Sequence, residues 1–266
     1  MGRLQDKIAL VMGATRAGNM GQAIARRLLD EGARVVVSGR SPEGLARFAG
    51  ETGATAIPCD IRSREAVFGL IGDVMARHGR LDIAVNAAAT GQYGPFEETS
   101  EAEIDEMLSI IFKGGFYFMQ AVVGAMRRSG GGSIINISSA VASIMFENHA
   151  AYMGAKAGLE HVTRAVANEF GIYGIRANVI APGLTRTPML DGFLAPGMEE
   201  AFVKEVPLGR LNTVADIASA AAFIASDECF MTGQTFHVTG GLTLRRNPTA
   251  AEIGSSIEAQ ADAATG

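Results

Sequence analysis

Ile8-Ala9-Leu10-Val11-Met12, then Gly13-Ala14-Thr15-Arg16-Ala17-Gly18-Asn19-Met20-Gly21, then Gln22-Ala23-Ile24-Ala25 is the stretch that decides the fold of this 266-residue chain. An apolar run of strand length gives way to a glycine-rich turn, and the turn opens into residues of helical period. Glycines let the backbone turn sharply and approach a pyrophosphate, while a helix N-terminus offers unpaired N–H groups and a positive dipole end to the anion. Gly13, Thr15, Arg16, Asn19, Met20 and Gly21 are therefore candidate cofactor-binding residues.

Working outward, the same alternation repeats. Short runs at Arg34–Ser38, Thr55–Pro58, Ile83–Asn86, Ser133–Ile137, Arg176–Ile180 and Gln234–Val238 read as further strands. Helical periods fall at Gly21–Glu31, Pro42–Thr52, Ser63–His78, Ser100–Ser129, Ala150–Phe170 and Thr213–Ala225. Each is long enough for a right-handed crossover between parallel strands. The expectation is an α/β chain, a single doubly wound Rossmann-like domain over residues 1–246 with a seven-stranded parallel sheet and helices on both faces. In residues 247–266 Ala, Ser, Thr, Gly and Glu replace the apolar pattern, so this tail is expected to be loose or an oligomer contact.

Composition agrees. The chain is 48% hydrophobic and 19% charged with 33 glycines, which describes a large core with many tight turns. A net charge of −5 gives no electrostatic reason to expect nucleic acid or an anionic membrane as partner, leaving small molecules. No apolar run reaches the roughly 20 residues a bilayer demands, and Arg3, Asp6 and Lys7 interrupt the N-terminal stretch, so a cytoplasmic location is expected. Cys59 and Cys229 have no CxxC or histidine spacing, which points to buried thiols and no catalytic metal.

The second strand ends Val37-Ser38-Gly39-Arg40, where a dinucleotide's adenosine ribose is read. A carboxylate there would accept from the 2′-hydroxyl of NAD. Arg40 instead suits the 2′-phosphate of NADP, with Arg16 able to close from the other side, so NADPH/NADP+ is favoured over NADH.

The chemistry centres on Ser139, Tyr152 and Lys156. Positions i and i+4 share a helix face, so Tyr152 and Lys156 point into one pocket. A tyrosine titrates near ~10 in water, and a neighbouring ammonium favours its phenolate. Ser139, just past the fifth strand, is expected to hydrogen-bond the substrate oxygen and stabilise charge developing there.

With these motifs in hand, the chain resembles the short-chain dehydrogenase/reductase family from Leu4 to about Leu242. The matching segments are the glycine loop, Asp60, Asn86-Ala87-Ala88-Ala89, Ser139, Tyr152-x-x-x-Lys156, Pro182-Gly183 with Thr187, and His237-Val238-Thr239-Gly240-Gly241. The resemblance implies that Asp60 and Ile61 hold the adenine and that Asn86 and Ala88 support the central strand and cofactor. It further implies that Ile180, Pro182, Gly183 and Thr187 belong to the nicotinamide end, that Lys156 also grips the nicotinamide ribose, and that the chain assembles as a homotetramer through its long helices. Three departures stand out: a last loop glycine two residues late, Ala87 and Ala89 in place of the usual Asn and Gly, and Ile111 where a helix asparagine usually completes a tetrad.

Residues 187–207, with Met189, Leu190, Phe193, Leu194, Met198 and Phe202, read as an apolar substrate lid. Gln92, Tyr93, Val141, Met145, Phe146 and His149 are candidates for the opposite wall. The implied activity is an NADP(H)-dependent ketoreductase or alcohol dehydrogenase acting on a hydrophobic ketone, with Tyr152 as acid/base. A 3-oxoacyl thioester reductase of lipid synthesis and a non-catalytic nucleotide-binding scaffold are the alternatives.

Overall fold

The computed structural model describes residues 2–188, 190, 195 and 197–265. Its sheet contains β1 (Ile8–Met12), β2 (Arg34–Gly39), β3 (Thr55–Pro58), β4 (Ile83–Asn86), β5 (Gly132–Ile137), β6 (Ile175–Pro182) and β7 (Thr235–Val238). All pairs are parallel, in the order β3-β2-β1-β4-β5-β6-β7. The seven-stranded doubly wound sheet read from the sequence is thus the fold observed.

Helices α1 (Met20–Asp30), α2 (Pro42–Thr52) and α8 (Val214–Ala225) cover one face; α3 (Arg64–His78), α5 (Gly114–Ser129) and α6 (Ala150–Phe170) cover the other. The split follows from handedness: right-handed crossovers moving outward from β1 and from β4 in opposite directions deposit their helices on opposite faces. Each central strand feeds both layers. Ile8, Leu10 and Met12 of β1 pack with α3, α5 and α6, whereas Ala9 and Val11 pack with α1, α2 and α8.

Two segments differ from the sequence reading. The helix expected over Ser100–Ser129 is α4 (Glu101–Met107), a π turn at Leu108–Lys113, and α5. The Gly114 N–H donates to both Ser109 O and Ile111 O, the mark of a widened turn. Gly114 and Gly115 allow a close approach here: a Cβ on them would lie 3.0 Å from Ile61 and 2.5 Å from Leu159. Much of the tail, expected to be loose or an oligomer contact, is ordered as helix α9 (Ala250–Thr265). Ile253 and Ile257 of α9 pack against Met198 and Phe202 of α7 (Met198–Glu205), a helix within the 187–207 segment.

Among the described residues, Glu101–Ser129 is long and apolar enough by length and composition to cross a bilayer, although the sequence reading found no apolar run of that length. Its apolar character has a local use, because Met107, Ile110, Ile111, Phe118, Met119 and Val122 are buried against the sheet layer.

Candidate active site

Where the strand order reverses between β1 and β4, a cleft of about 660 Å³ opens at the carboxyl ends of the strands, the position at which sheets of this kind bind ligands. The glycine loop forms one wall. Gly13 and Ala14 donate to Ser38 O at 2.8 and 3.1 Å. Asn19 caps α1 by accepting from Gln22 N at 2.9 Å and donates to Gly13 O at 2.8 Å, closing the loop on itself. Gly13 has φ +93°, and a Cβ there would meet the Ala87 carbonyl carbon at 2.6 Å; at Gly21 it would meet Gly13 O at 2.5 Å. The first turn of α1 carries no acidic residue, so its positive end faces the cleft uncompensated. Backbone N–H groups plus Arg16 and Arg40 are a donor set that fits a phosphate-bearing dinucleotide.

Thr15, Arg16, Asn19, Met20, Arg40, Asp60, Ile61 and Ala88 all line the cleft. Arg16 and Arg40 are exposed and form no salt bridge among the described residues. Asp60 is already engaged: it accepts from Arg62 Nε at 3.0 Å on both oxygens, and that hydrogen bonding holds its carboxyl below the usual range. Asn86 lies under the cleft instead of in its lining. Its Nδ2 donates to Asn136 Oδ1 at 3.2 Å and its Oδ1 accepts from Ala88 N at 3.2 Å, which fixes the turn after β4. Pro182 and Gly183 close β6, with Gly183 N donating to Val238 O at 3.1 Å, and also stand outside the lining; Thr187 is in it.

Tyr152 and Lys156 share the opposite wall, one turn apart on α6, with Nζ 5.6 Å from the centre of the phenol ring. Lys156 is 2% exposed and its Nζ donates to Ile137 O at 2.7 Å. Burial pushes Lys156 down to about 8, with the Glu160 carboxylate opposing. Burial pushes the Tyr152 phenol up to about 12, with hydrogen bonding to Ser139 opposing. The expectation that Lys156 lowers the tyrosine pKa is not what burial produces: the phenol's pKa is raised by desolvation and opposed by the Ser139 hydrogen bond, while the Lys156 proton is directed at a backbone carbonyl. Ser139 itself lies just beyond the lining, behind Ile137 and Ser138.

On the substrate side, rings gather around His149: Phe146 at 5.0 Å, Tyr93 at 5.4 Å and Tyr152 at 5.7 Å between centroids. Phe146 continues the chain to Phe202 of α7 at 5.6 Å. Burial lowers the His149 pKa, favouring the neutral ring. Tyr93 and Met145 are exposed, Val141 is half-buried, and Leu190 N donates to Thr187 O at 2.9 Å. Gln92 is buried with neither amide atom hydrogen-bonded. Phe193, with Met189 and Leu194, lies outside the described residues.

Sequence reasoning missed several participants. Ile110, in the π turn, lines the cleft, while its neighbour Ile111 is fully buried in the core. Ser41 and Cys59 border the arginine end; burial pushes the Cys59 thiol up to about 11, so it is an inert wall. Asn247 donates to Met145 O at 3.0 Å, and Ala250 N donates to Glu147 Oε2 at 2.9 Å, so the tail braces the loop that carries Phe146 and His149. No local pattern in the sequence signals a contact that spans about a hundred residues.

The family model described as enoyl-(acyl carrier protein) reductase matches residues 13–243. D-threitol dehydrogenase from Mycolicibacterium smegmatis is 35% identical over 249 residues, covering 91% of this chain and 95% of its own. A 3-oxoacyl-(acyl-carrier-protein) reductase from Staphylococcus aureus is 33% identical over 243 residues, covering 89% and 98%. Among solved structures, a short-chain type dehydrogenase/reductase from Mycobacterium ulcerans superimposes with a TM-score of 0.89 at 31% identity, over 93% of each chain.

Proposed function

Because the chain belongs to the short-chain dehydrogenase/reductase family of oxidoreductases, we propose that it interconverts a hydrophobic ketone and a secondary alcohol with NADP(H). The observation that carries this reading is a single cleft with Tyr152 and Lys156 on one wall and, at its other end, two arginines, Arg16 and Arg40, that form no salt bridge among the described residues. NADP(H) supplies the hydride when bound, and that chemistry belongs to the nicotinamide. Gly13, Thr15, Asn19, Met20 and Gly21 hold its pyrophosphate, and Arg16 and Arg40 hold the 2′-phosphate. Asp60 and Ile61 border the adenine; Asn86 and Ala88 support the floor; Pro182, Gly183 and Thr187 shape the nicotinamide end.

Tyr152 donates its proton to the substrate oxygen, which Ser139 orients by hydrogen bonding. A phenol held above its ordinary pKa is protonated at neutral pH, as reduction requires. Lys156 supplies positive charge beside the phenol and grips the nicotinamide ribose. Gln92, Tyr93, Val141, Met145, His149 and Leu190 line the substrate and help exclude water from it.

The test is turnover with NADPH and with NADH over aliphatic, aryl, cyclic and thioester carbonyls. NADPH-dependent reduction of free ketones supports the reading. Turnover restricted to acyl-carrier thioesters favours a 3-oxoacyl reductase, and NADPH binding without oxidation of any carbonyl favours a nucleotide-binding scaffold.

Exposed Phe68 and Phe116 with Val162 and Phe170 line a hollow of about 490 Å³ on the α3, α5 and α6 face, which supports self-association toward the homotetramer; light scattering after gel filtration checks it. The free buried thiols Cys59 and Cys229 suit a reducing, cytoplasmic compartment.

A further inference from the structure

Three consecutive residues at the end of β5 are each held by α6. Ser139 hydrogen-bonds Tyr152, Ile137 O accepts from Lys156 Nζ at 2.7 Å, and Ser138 Oγ donates to Glu160 Oε1 at 2.6 Å. The helix residues fall at i, i+4 and i+8, so they form one stripe facing the strand end. Two members of the stripe carry duties in the proposed reaction; Glu160 does not.

Glu160 is 5% exposed, and its other oxygen, Oε2, accepts from Thr235 Oγ1 of β7 at 3.3 Å. Both hydrogen bonds come from hydroxyl donors, and no cation lies within salt-bridge distance of its carboxylate among the described residues. A buried carboxylate without a contact ion pair is costly unless something else uses its charge. The buried cation on the same stripe is Lys156, one helical turn away. Charged groups on the surrounding elements face elsewhere: Lys113 of the π turn and His237 of β7 are exposed, and Arg176 of β6 donates to the carbonyls of Ile224 and Ser226. On the same side Tyr117 of α5 packs against the core layer, and β5 contributes no titratable side chain.

We propose that Glu160 is a positioning residue of the active site, a buried carboxylate that keeps Lys156 in its ammonium form and pins the Ile137–Ser139 strand end against α6. Burial alone drives Lys156 toward the neutral amine, which cannot supply the positive field the phenol needs. Glu160 counters that tendency from a distance at which it neither displaces the Lys156 to Ile137 hydrogen bond nor competes for the substrate. The same carboxylate, through Ser138, fixes the residue next to Ser139. Its role in turnover rests on Tyr152 and Lys156 acting as proposed above; its effect on the charge of Lys156 does not.

The test reads that charge directly. The chain has four lysines, Lys7, Lys113, Lys156 and Lys204, so a pH titration of the full-length protein labelled with carbon-13 at lysine Cε resolves each one, with Lys156→Met identifying its signal. Glu160→Gln keeps the side-chain volume and both hydroxyl partners. It is expected to lower the Lys156 midpoint by about one pH unit or more while the other three stay in place. Glu160→Asp, which keeps the charge but withdraws it by one methylene, is expected to lower it by less. The alkaline limb of kcat/KM for ketone reduction should move to lower pH with the Lys156 midpoint. An unmoved midpoint in Glu160→Gln overturns the proposal. A lowered midpoint in a protein that reduces no carbonyl leaves Glu160's role standing and removes the functional reading instead.

Discussion

Lys156 Nζ sits 5.6 Å from the centre of the Tyr152 ring, yet its proton is directed at the Ile137 carbonyl 2.7 Å away. The surroundings are dry enough that burial controls both groups: the lysine falls to about 8 and the tyrosine rises to about 12. The arrangement keeps Tyr152 protonated over the whole neutral range.

Tyr152→Phe removes that proton while leaving the ring contact with His149 available. Ketone reduction is expected to fall by about 10²- to 10⁴-fold, with NADPH affinity within twofold of the parent. Steady-state kinetics and a fluorescence titration of NADPH check the two halves. Turnover retained near the parent level would remove Tyr152 from its assigned role.

The lowered lysine also leaves a signature in stability. Between pH 8 and 10.5 the unfolded chain binds a proton at Lys156 that the folded chain does not, so this group makes the protein more stable as pH rises through that window. Below about pH 8 the full penalty, about 3 kcal/mol, is present. Melting temperature followed from pH 7 to 10 should show a rise that Lys156→Met flattens; parallel curves for the two proteins would contradict it.

Cofactor choice should follow Arg40 and Arg16, which line the cleft and form no salt bridge among the described residues. Loss of either charge-assisted contact is expected to weaken NADPH binding by about 10- to 100-fold and to leave NADH nearly unchanged. Calorimetry of Arg16→Ala and Arg40→Ala with both dinucleotides measures it. Equal losses for NADPH and NADH would mean that the arginines read something other than the 2′-phosphate.

Ending the chain after Arg246 removes Asn247 from Met145 O, the Ala250 contact with Glu147, and the cover that Ile253 and Ile257 give Met198 and Phe202. The expected result is a melting temperature lower by roughly 5 °C and a substrate KM raised about tenfold or more, with NADPH affinity kept. A truncated enzyme with parental KM would show that α9 does not support the substrate wall.

The sequence carried the architecture because its signals are local. The continuous apolar run Ile8 to Met12, the glycine loop before Gln22, and the i, i+4 spacing of Tyr152 and Lys156 each lie within one element and its turn. Helix and strand geometry convert such spacing directly into faces and pockets. Handedness of the crossovers then leaves few ways to assemble the sheet.

Tertiary structure alone decided what depends on burial and on distant partners. The π turn at Leu108–Lys113 sits where Gly114 and Gly115 pack closely against Ile61 and Leu159, partners far away in sequence. A tail with little apolar pattern became α9 because Ile253 and Ile257 found a surface made by α7. The direction of the Tyr152 shift could not be read from Lys156's spacing, since desolvation depends on everything that surrounds the phenol and one neighbour's charge is a single contribution. Spacing along a chain specifies which groups meet; the dielectric they meet in is a property of the folded whole.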